Sequence, residues 1–218
     1  MQNIVILISG RGSNMISIAE ACLRDRWRAR IAAVISNRAD AAGLEAAREL
    51  GLPIEVVESR GRADREAFDQ ELAQRIEAHH PAVVALAGYM RILSPSFVDR
   101  FAGRLVNIHP SLLPAFPGLD THRRALEAGV RAHGATVHLV THALDDGPII
   151  GQALVPVLET DDEAALADRV LEAEHRLYPD CVRWLAEGRL EVRGRRVLLR
   201  DAGPNERTLL LPGNGDAR

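Results

Sequence analysis

Asn3-Ile4-Val5-Ile6-Leu7-Ile8-Ser9-Gly10-Arg11-Gly12-Ser13-Asn14 is the stretch that sets the fold of this chain. The run up to Ile8 is apolar and rich in β-branched residues, the pattern of a central parallel strand covered on both faces. A glycine turn follows at once. Met15, Ile18, Ala19, Cys22 and Leu23 then recur at helical spacing. Strand, glycine turn and helix in that order aim free backbone N–H groups and a helix N-terminus at an anion. Ser13 or Asn14 is expected to cap the helix. Met15 stands where a dinucleotide fingerprint needs its third glycine, and no Lys-Ser or Lys-Thr completes a Walker loop. A phosphate monoester therefore suits the turn better than a pyrophosphate.

Working outward, the same alternation repeats. Strands are expected at 30–36, 53–57, 82–87 and up to 109. Helices are expected at 43–50 and 65–78, after Ser94-Pro95 with Ser94 as cap and Pro95 in the first position, and from Asp120 to about 128. Residues 136–140 and 149–157 read as a strand pair, 162–185 as the longest helix, and 190–192 with 197–199 as two short strands. This is an α/β chain of Rossmann-like type: an open, mostly parallel twisted sheet with helices on both faces and an antiparallel C-terminal extension. One domain is expected over 1–200, with a peripheral tail over 201–218 that is rich in Gly, Pro, Asn and charge.

In such a sheet, ligands sit at the carboxyl ends of the strands. One strand ends in Asn107-Ile108-His109-Pro110. Residues two apart share a face, so Asn107 and His109 point the same way, and Pro110 stops the strand as they emerge. A carboxamide N–H can stabilise an oxyanion, and an imidazole moves protons near neutral pH. Alone, that pair is as well explained by packing. The loop Gly88-Tyr89-Met90-Arg91-Ile92-Leu93 reads as an apolar pocket with one polar handle, and Leu113-Pro114 is a candidate for a cis bond. Asp145-Asp146-Gly147-Pro148 taken alone is an ordinary turn.

Composition narrows the partners. A net charge of −3 in 218 residues gives no general attraction to nucleic acid or an anionic membrane. The two cysteines, Cys22 and Cys181, have no metal or redox spacing, and the eight histidines show no ligand pattern, so no metal is expected. No leader or membrane-length apolar run is evident, and a cytoplasmic protein is expected.

The motifs together resemble one family. SGRGSN (9–14), AGYMRILS (87–94), RLVNIHPSLLPAFPGLDTHRRAL (104–126), HGATVHLVT (133–141) and LDDGPII (144–150) are similar, in order and spacing, to the phosphoribosylglycinamide formyltransferases, over residues 2 to about 190. NIHPSLLP alone indicates the wider formyltransferase superfamily. The resemblance implies an enzyme of purine biosynthesis that takes 10-formyltetrahydrofolate as co-substrate and phosphoribosylglycinamide as acceptor. By that resemblance Gly12, Ser13, Asn14 and Glu174 would hold the ribotide. Arg65, Met90, Arg91, Ile92, Leu93, Asn107 and Val140 would lie on the folate side. Asn107, His109 and Asp145 would be catalytic, with His109 the proton donor and Asp145 keeping it suitably basic by favouring its charged form. His122 and His138 would stand behind them. Small-molecule substrates, and a monomer or homodimer, are expected.

Two positions depart from the family. Leu171 stands where relatives place Gln or Lys, and His142 replaces an acidic residue. A formyltetrahydrofolate hydrolase and a non-catalytic phosphate-binding module are the alternative readings. Methionyl-tRNA formyltransferase, which adds a C-terminal domain and a basic surface, fits neither the length nor the charge.

Overall fold

The structure, a computed structural model describing residues 1–204, 206 and 208–211, is built on one sheet. Its elements run β1 (Gln2–Ile8), α1 (Ser13–Arg24), β2 (Ala29–Ser36), α2 (Ala42–Glu49), β3 (Ile54–Val56), α3 (Arg65–Glu77), β4 (Pro81–Leu86), α4 (Pro95–Arg100) and β5 (Leu105–His109). They continue with α5 (Thr121–Glu127), β6 (Ala132–Leu139), β7 (Ile149–Pro156), α6 (Glu163–Ala186), β8 (Leu190–Arg193), β9 (Arg196–Leu199) and β10 (Leu209–Leu210). The strand order is β3-β2-β1-β4-β5-β6-β7-β9-β8, with β10 beside β7. β3 through β5 pair in parallel, and the β5-β6 and β6-β7 pairs are antiparallel. This is the expected architecture.

β1 shows why the opening stretch sets the fold. Ile4, Ile6 and Ile8 are buried against the layer that contains Met15 and Ile18 of α1 and Tyr178 of α6. Val5 and Leu7 are buried against the opposite layer, with Phe68, Leu72 and Ile76 of α3 and Phe97 of α4. With both faces covered by helices, the strand has no polar side to show, and its sequence is accordingly unbroken. Polar caps start three of the helices: Asp64 accepts from the Ala67 N–H at 3.0 Å, Ser94 from Phe97 at 3.4 Å and Asp162 from Ala165 at 2.8 Å.

Register brings the functional loops to one level. Leu7 pairs with Leu86, and Leu86 with Asn107, so the ends of β1, β4 and β5 open onto the same edge. Ser9 ties the first two loops together. Its N–H donates to the Gly88 carbonyl at 3.2 Å, and its Oγ accepts from the Met90 N–H at 2.8 Å. From the other side, the single O–H of buried Tyr178 is shared between the carbonyls of Leu86 (2.9 Å) and Val106 (3.1 Å), which clamps α6 under the β4–β5 ends.

Part of the segment expected to be a peripheral tail returns to the domain. β10 pairs in parallel with Gln152 and Ala153 of β7. Glu206 receives the Trp184 Nε1–H at 3.1 Å and the Arg189 guanidinium at 2.6 and 2.7 Å. Arg189 beside it holds the Glu206 carboxyl down to about 2. Polar composition suggested solvent for this stretch, but one carboxylate placed against Arg189 and an indole N–H outweighs that. The rest of the tail, residues 205, 207 and 212–218, lies outside the described residues.

Candidate functional site

Asn107 and His109 emerge from β5 on the face opposite Val106 and Ile108, which are buried in the α1/α6 layer. Antiparallel pairing sets His138 of β6 directly across from Asn107, with Asn107 Nδ2 3.3 Å from His138 Nε2. His138 Nδ1 lies 3.0 Å from the Leu139 carbonyl and therefore carries the ring hydrogen, leaving Nε2 as an acceptor. Burial pushes the His138 pKa down, which favours that neutral form. The Asn107 amide is thereby oriented: one Nδ2 hydrogen goes to His138, and the other remains for a ligand.

His109 is 6% exposed. Its Nε2 donates to the Phe116 carbonyl at 3.0 Å, and its Nδ1 faces Asp145 Oδ2 at 3.4 Å. The backbone carbonyl locks the ring, so Nδ1 is the nitrogen turned toward Asp145. Acceptors stand at both ring nitrogens, the Phe116 carbonyl and the Asp145 carboxylate.

Asp145 reaches the pair from the β6–β7 connection, with φ 51° and a side chain 7% exposed. Its Oδ2 also accepts the Gly118 N–H at 2.9 Å, and its Oδ1 stands 3.9 Å from His138 Nε2. Gly147 makes this return possible, since a Cβ there would lie 1.6 Å from the Leu139 carbonyl oxygen. Asn107 and His109 from β5 and Asp145 from the β6–β7 connection thus gather in one place, with His138 between Asn107 and Asp145.

The loop carrying Phe116 and Gly118 is pinned from β6 and β7. Thr136 Oγ1 donates to the Ser111 carbonyl at 2.7 Å and accepts from the Leu113 N–H at 3.0 Å, while Gln152 Nε2 donates to the Leu113 carbonyl at 3.0 Å. The Leu113–Pro114 bond is cis, as the sequence suggested. Thr136, Gln152 and the two backbone groups were missed by sequence reasoning. The backbone groups carry no side-chain signal, and Thr136 reads as an ordinary strand residue.

At the glycine turn, the expected cap is corrected. Gly12 itself precedes α1 at φ 74°, no side chain caps the helix, and its first turn holds no acid. A Cβ on Gly12 would approach Gly43 Cα at 2.9 Å, so the turn needs glycine for both its conformation and its packing. The first N–H groups of α1 are left for a ligand. Asn14 turns instead to α6 and donates from Nδ2 to Glu174 Oε2 at 2.7 Å, while its own buried Oδ1 has no partner.

Glu174 is 6% exposed, and burial raises its carboxyl from the ordinary 4.5 to about 7, against the lowering effect of Asn14. The native state therefore holds this proton where the unfolded chain has released it. The stability that protonated Glu174 confers is complete below about 4.5 and is lost as pH rises to about 7. Glu174→Gln should remove that slope and gain about 3 kcal/mol on the parent between pH 4 and pH 8. Urea unfolding at both pH values measures it, and parallel curves for the two proteins would refute it.

The remaining predicted residues take their places around this centre. Met90 and Ile92 are each 70% exposed on the loop after β4. The Arg91 guanidinium lies 4.4 Å over the Phe68 ring, while Leu93 and Val140 pack on the α3/α4 layer. Arg65, exposed, begins α3 one turn before Phe68. His122 does not touch the central trio. It stacks edge-on against His133 at 5.3 Å, a buried histidine that sequence reasoning passed over, whose pKa burial lowers to about 4. His142 pairs with Asp99 of α4 at 2.8 Å, and Leu171 lies half-buried one turn before Glu174. Among the described residues no group of three His, Cys, Asp or Glu is placed to hold a metal ion, and no helix is long and apolar enough to cross a membrane.

Known proteins of one family are similar to this chain along most of its length. The formyl transferase family model matches residues 2–182. The phosphoribosylglycinamide formyltransferase of Escherichia coli (strain K12) is 52% identical over 190 residues, 87% of this chain and 90% of that protein. The crystal structure of glycinamide ribonucleotide transformylase 1 from Symbiobacterium toebii superposes with a TM-score of 0.89 at 50% identity, over 92% of this chain and 95% of that one. A formyltetrahydrofolate deformylase from Pseudomonas syringae shares the fold at TM-score 0.85 and 29% identity, and this chain covers 66% of its length.

Proposed function

The chain belongs to the formyl transferase family, and from that premise we propose that it transfers the formyl group of 10-formyltetrahydrofolate to the amine of 5′-phosphoribosylglycinamide. The products are the N-formyl ribotide and tetrahydrofolate, in de novo purine (IMP) biosynthesis. The observation that carries the reading is the gathering of Asn107, His109 and Asp145 on the same sheet edge as an uncapped glycine turn, with β4 between them.

The amine nitrogen attacks the formyl carbon, and the carbonyl electron pair moves to oxygen. The free Nδ2 hydrogen of Asn107, already held in place by His138, bonds to that oxyanion, and the Nδ1–H of His109 is shared between it and Asp145 while Phe116 fixes the ring. The tetrahedral species collapses by breaking the bond from carbon to N10. His109 supplies the proton that N10 gains, and the proton lost by the attacking amine restores its imidazolium. Asp145 stabilises the imidazolium that faces it. The glycine turn binds the ribotide phosphate, and Met90, Arg91, Ile92, Leu93, Arg65 and Val140 receive the folate.

Asp145→Asn removes the charge facing Nδ1 while keeping the shape. It should lower kcat while KM for both substrates stays within about threefold of the parent, because the charge facing the imidazole is lost and no substrate contact is. A kcat equal to the parent's would remove Asp145 from this role. The reaction itself is tested by following tetrahydrofolate release with and without phosphoribosylglycinamide. Turnover that depends on the amine supports the transferase, and formate release without it supports the hydrolase. Binding of the ribotide with no turnover at all supports the binding module.

A further inference from the structure

The turn from Ser9 to Asn14 contains one charged side chain, Arg11. Arg11 is exposed, and among the described residues it has no ion-pair or hydrogen-bond partner. Several exposed arginines elsewhere are engaged, Arg24 with Asp25, Arg38 with Asp40 and Arg62 with Glu71. The rest of the subsite is short of positive charge. Ser13 and Asn14 are neutral, Leu171 is apolar, and Glu174 turns anionic as pH passes about 7. The groove between α1 and α6, which Ser13 also lines, carries Arg24, His175 and Arg176 against Glu20 and Asp180, with Arg24 paired to Asp25.

A phosphate monoester brings about −1.5 to −2 charges at neutral pH, and the helix terminus offers the equivalent of about +0.5. The difference calls for a cation, and a guanidinium answers it with paired N–H donors. Arg11 immediately precedes Gly12 and is free to move. We propose that Arg11 folds over the phosphate of bound phosphoribosylglycinamide and supplies the charge that this subsite lacks. The proposal rests on the reading of the site given above and adds a residue that discriminates phosphorylated from unphosphorylated acceptors.

Arg11→Gln in the full chain tests it, and because the side chain is exposed and unpaired, the fold is not at stake. KM for phosphoribosylglycinamide should rise about tenfold with kcat within about twofold of the parent. With dephosphorylated glycinamide riboside as acceptor, parent and variant should have the same kcat/KM. A KM within twofold of the parent, or an equal loss with both acceptors, would overturn the assignment. Calorimetric titration of inorganic phosphate separates this from turnover, with a Kd about tenfold weaker expected for the variant. Equal phosphate affinities would sink the role of Arg11 alone, whereas a parent that binds phosphate but never formylates the ribotide would sink the reaction.

Discussion

Replacement of His109 by alanine is expected to lower kcat for formyl transfer by about a hundred- to ten-thousandfold, the usual worth of a positioned proton donor. The loss should fall on kcat, because the ring is buried and its contacts, Phe116 and Asp145, belong to the protein and not to a bound ligand. KM values for both substrates should move by less than about threefold if the interaction exists only in the transition state. Alanine also leaves the Phe116 carbonyl and Asp145 without their imidazole partner, so some thermal stability will be lost. His109→Gln is the companion variant, since its amide can still donate to Phe116 while supplying no titratable proton. Both variants should be inactive, with His109→Gln closer to the parent in Tm. A His109→Gln enzyme within tenfold of parental kcat would show that the imidazole moves no proton in the reaction.

Asn107→Ala comes next, with an expected loss of about a hundred- to a thousandfold in kcat, as for one oxyanion donor. The amide is held by His138, so its free hydrogen has a set direction, and this preorganisation is what the substitution removes. Asn107→Asp is the sharper variant. It is close in size and still fits opposite His138, but it replaces a donor with an acceptor where negative charge develops. It should be at least as inactive as the alanine form. Activity in the aspartate variant above that in the alanine variant, measured under saturating substrates, would refute an oxyanion role for this position.

Several parts of the site were legible along the chain because the signal is local. The glycine turn announces itself by Gly10 and Gly12 directly after a fully apolar run, and φ 74° at Gly12 is the conformation such a residue is there to adopt. Asn107 and His109 are two apart at a strand end, so their shared face follows from the pleat. Asp145 was indistinguishable from any other turn aspartate until the family resemblance singled it out. Its link to His109 spans the whole β6 strand, and that distance is closed only by folding. The cap on α1 was misjudged because Ser13 and Asn14 both have capping side chains. Glu174, distant in sequence, claims the amide of Asn14, and that choice depends on how α6 lies against α1.

The chain by itself determined the alternation of strands and helices, the edge at which the functional loops gather and the chemistry available there. All of these depend on periodicity and on residues within one turn of each other. Only the tertiary structure decided which nitrogen of His109 faces Asp145, which hydrogen of Asn107 is free, how far Glu174 departs from an ordinary carboxylate and that Glu206 returns to Trp184 and Arg189. Each of those follows from the desolvation and hydrogen-bond partners that packing imposes on a polar group. Such partners come from segments tens of residues away, where no local pattern records them.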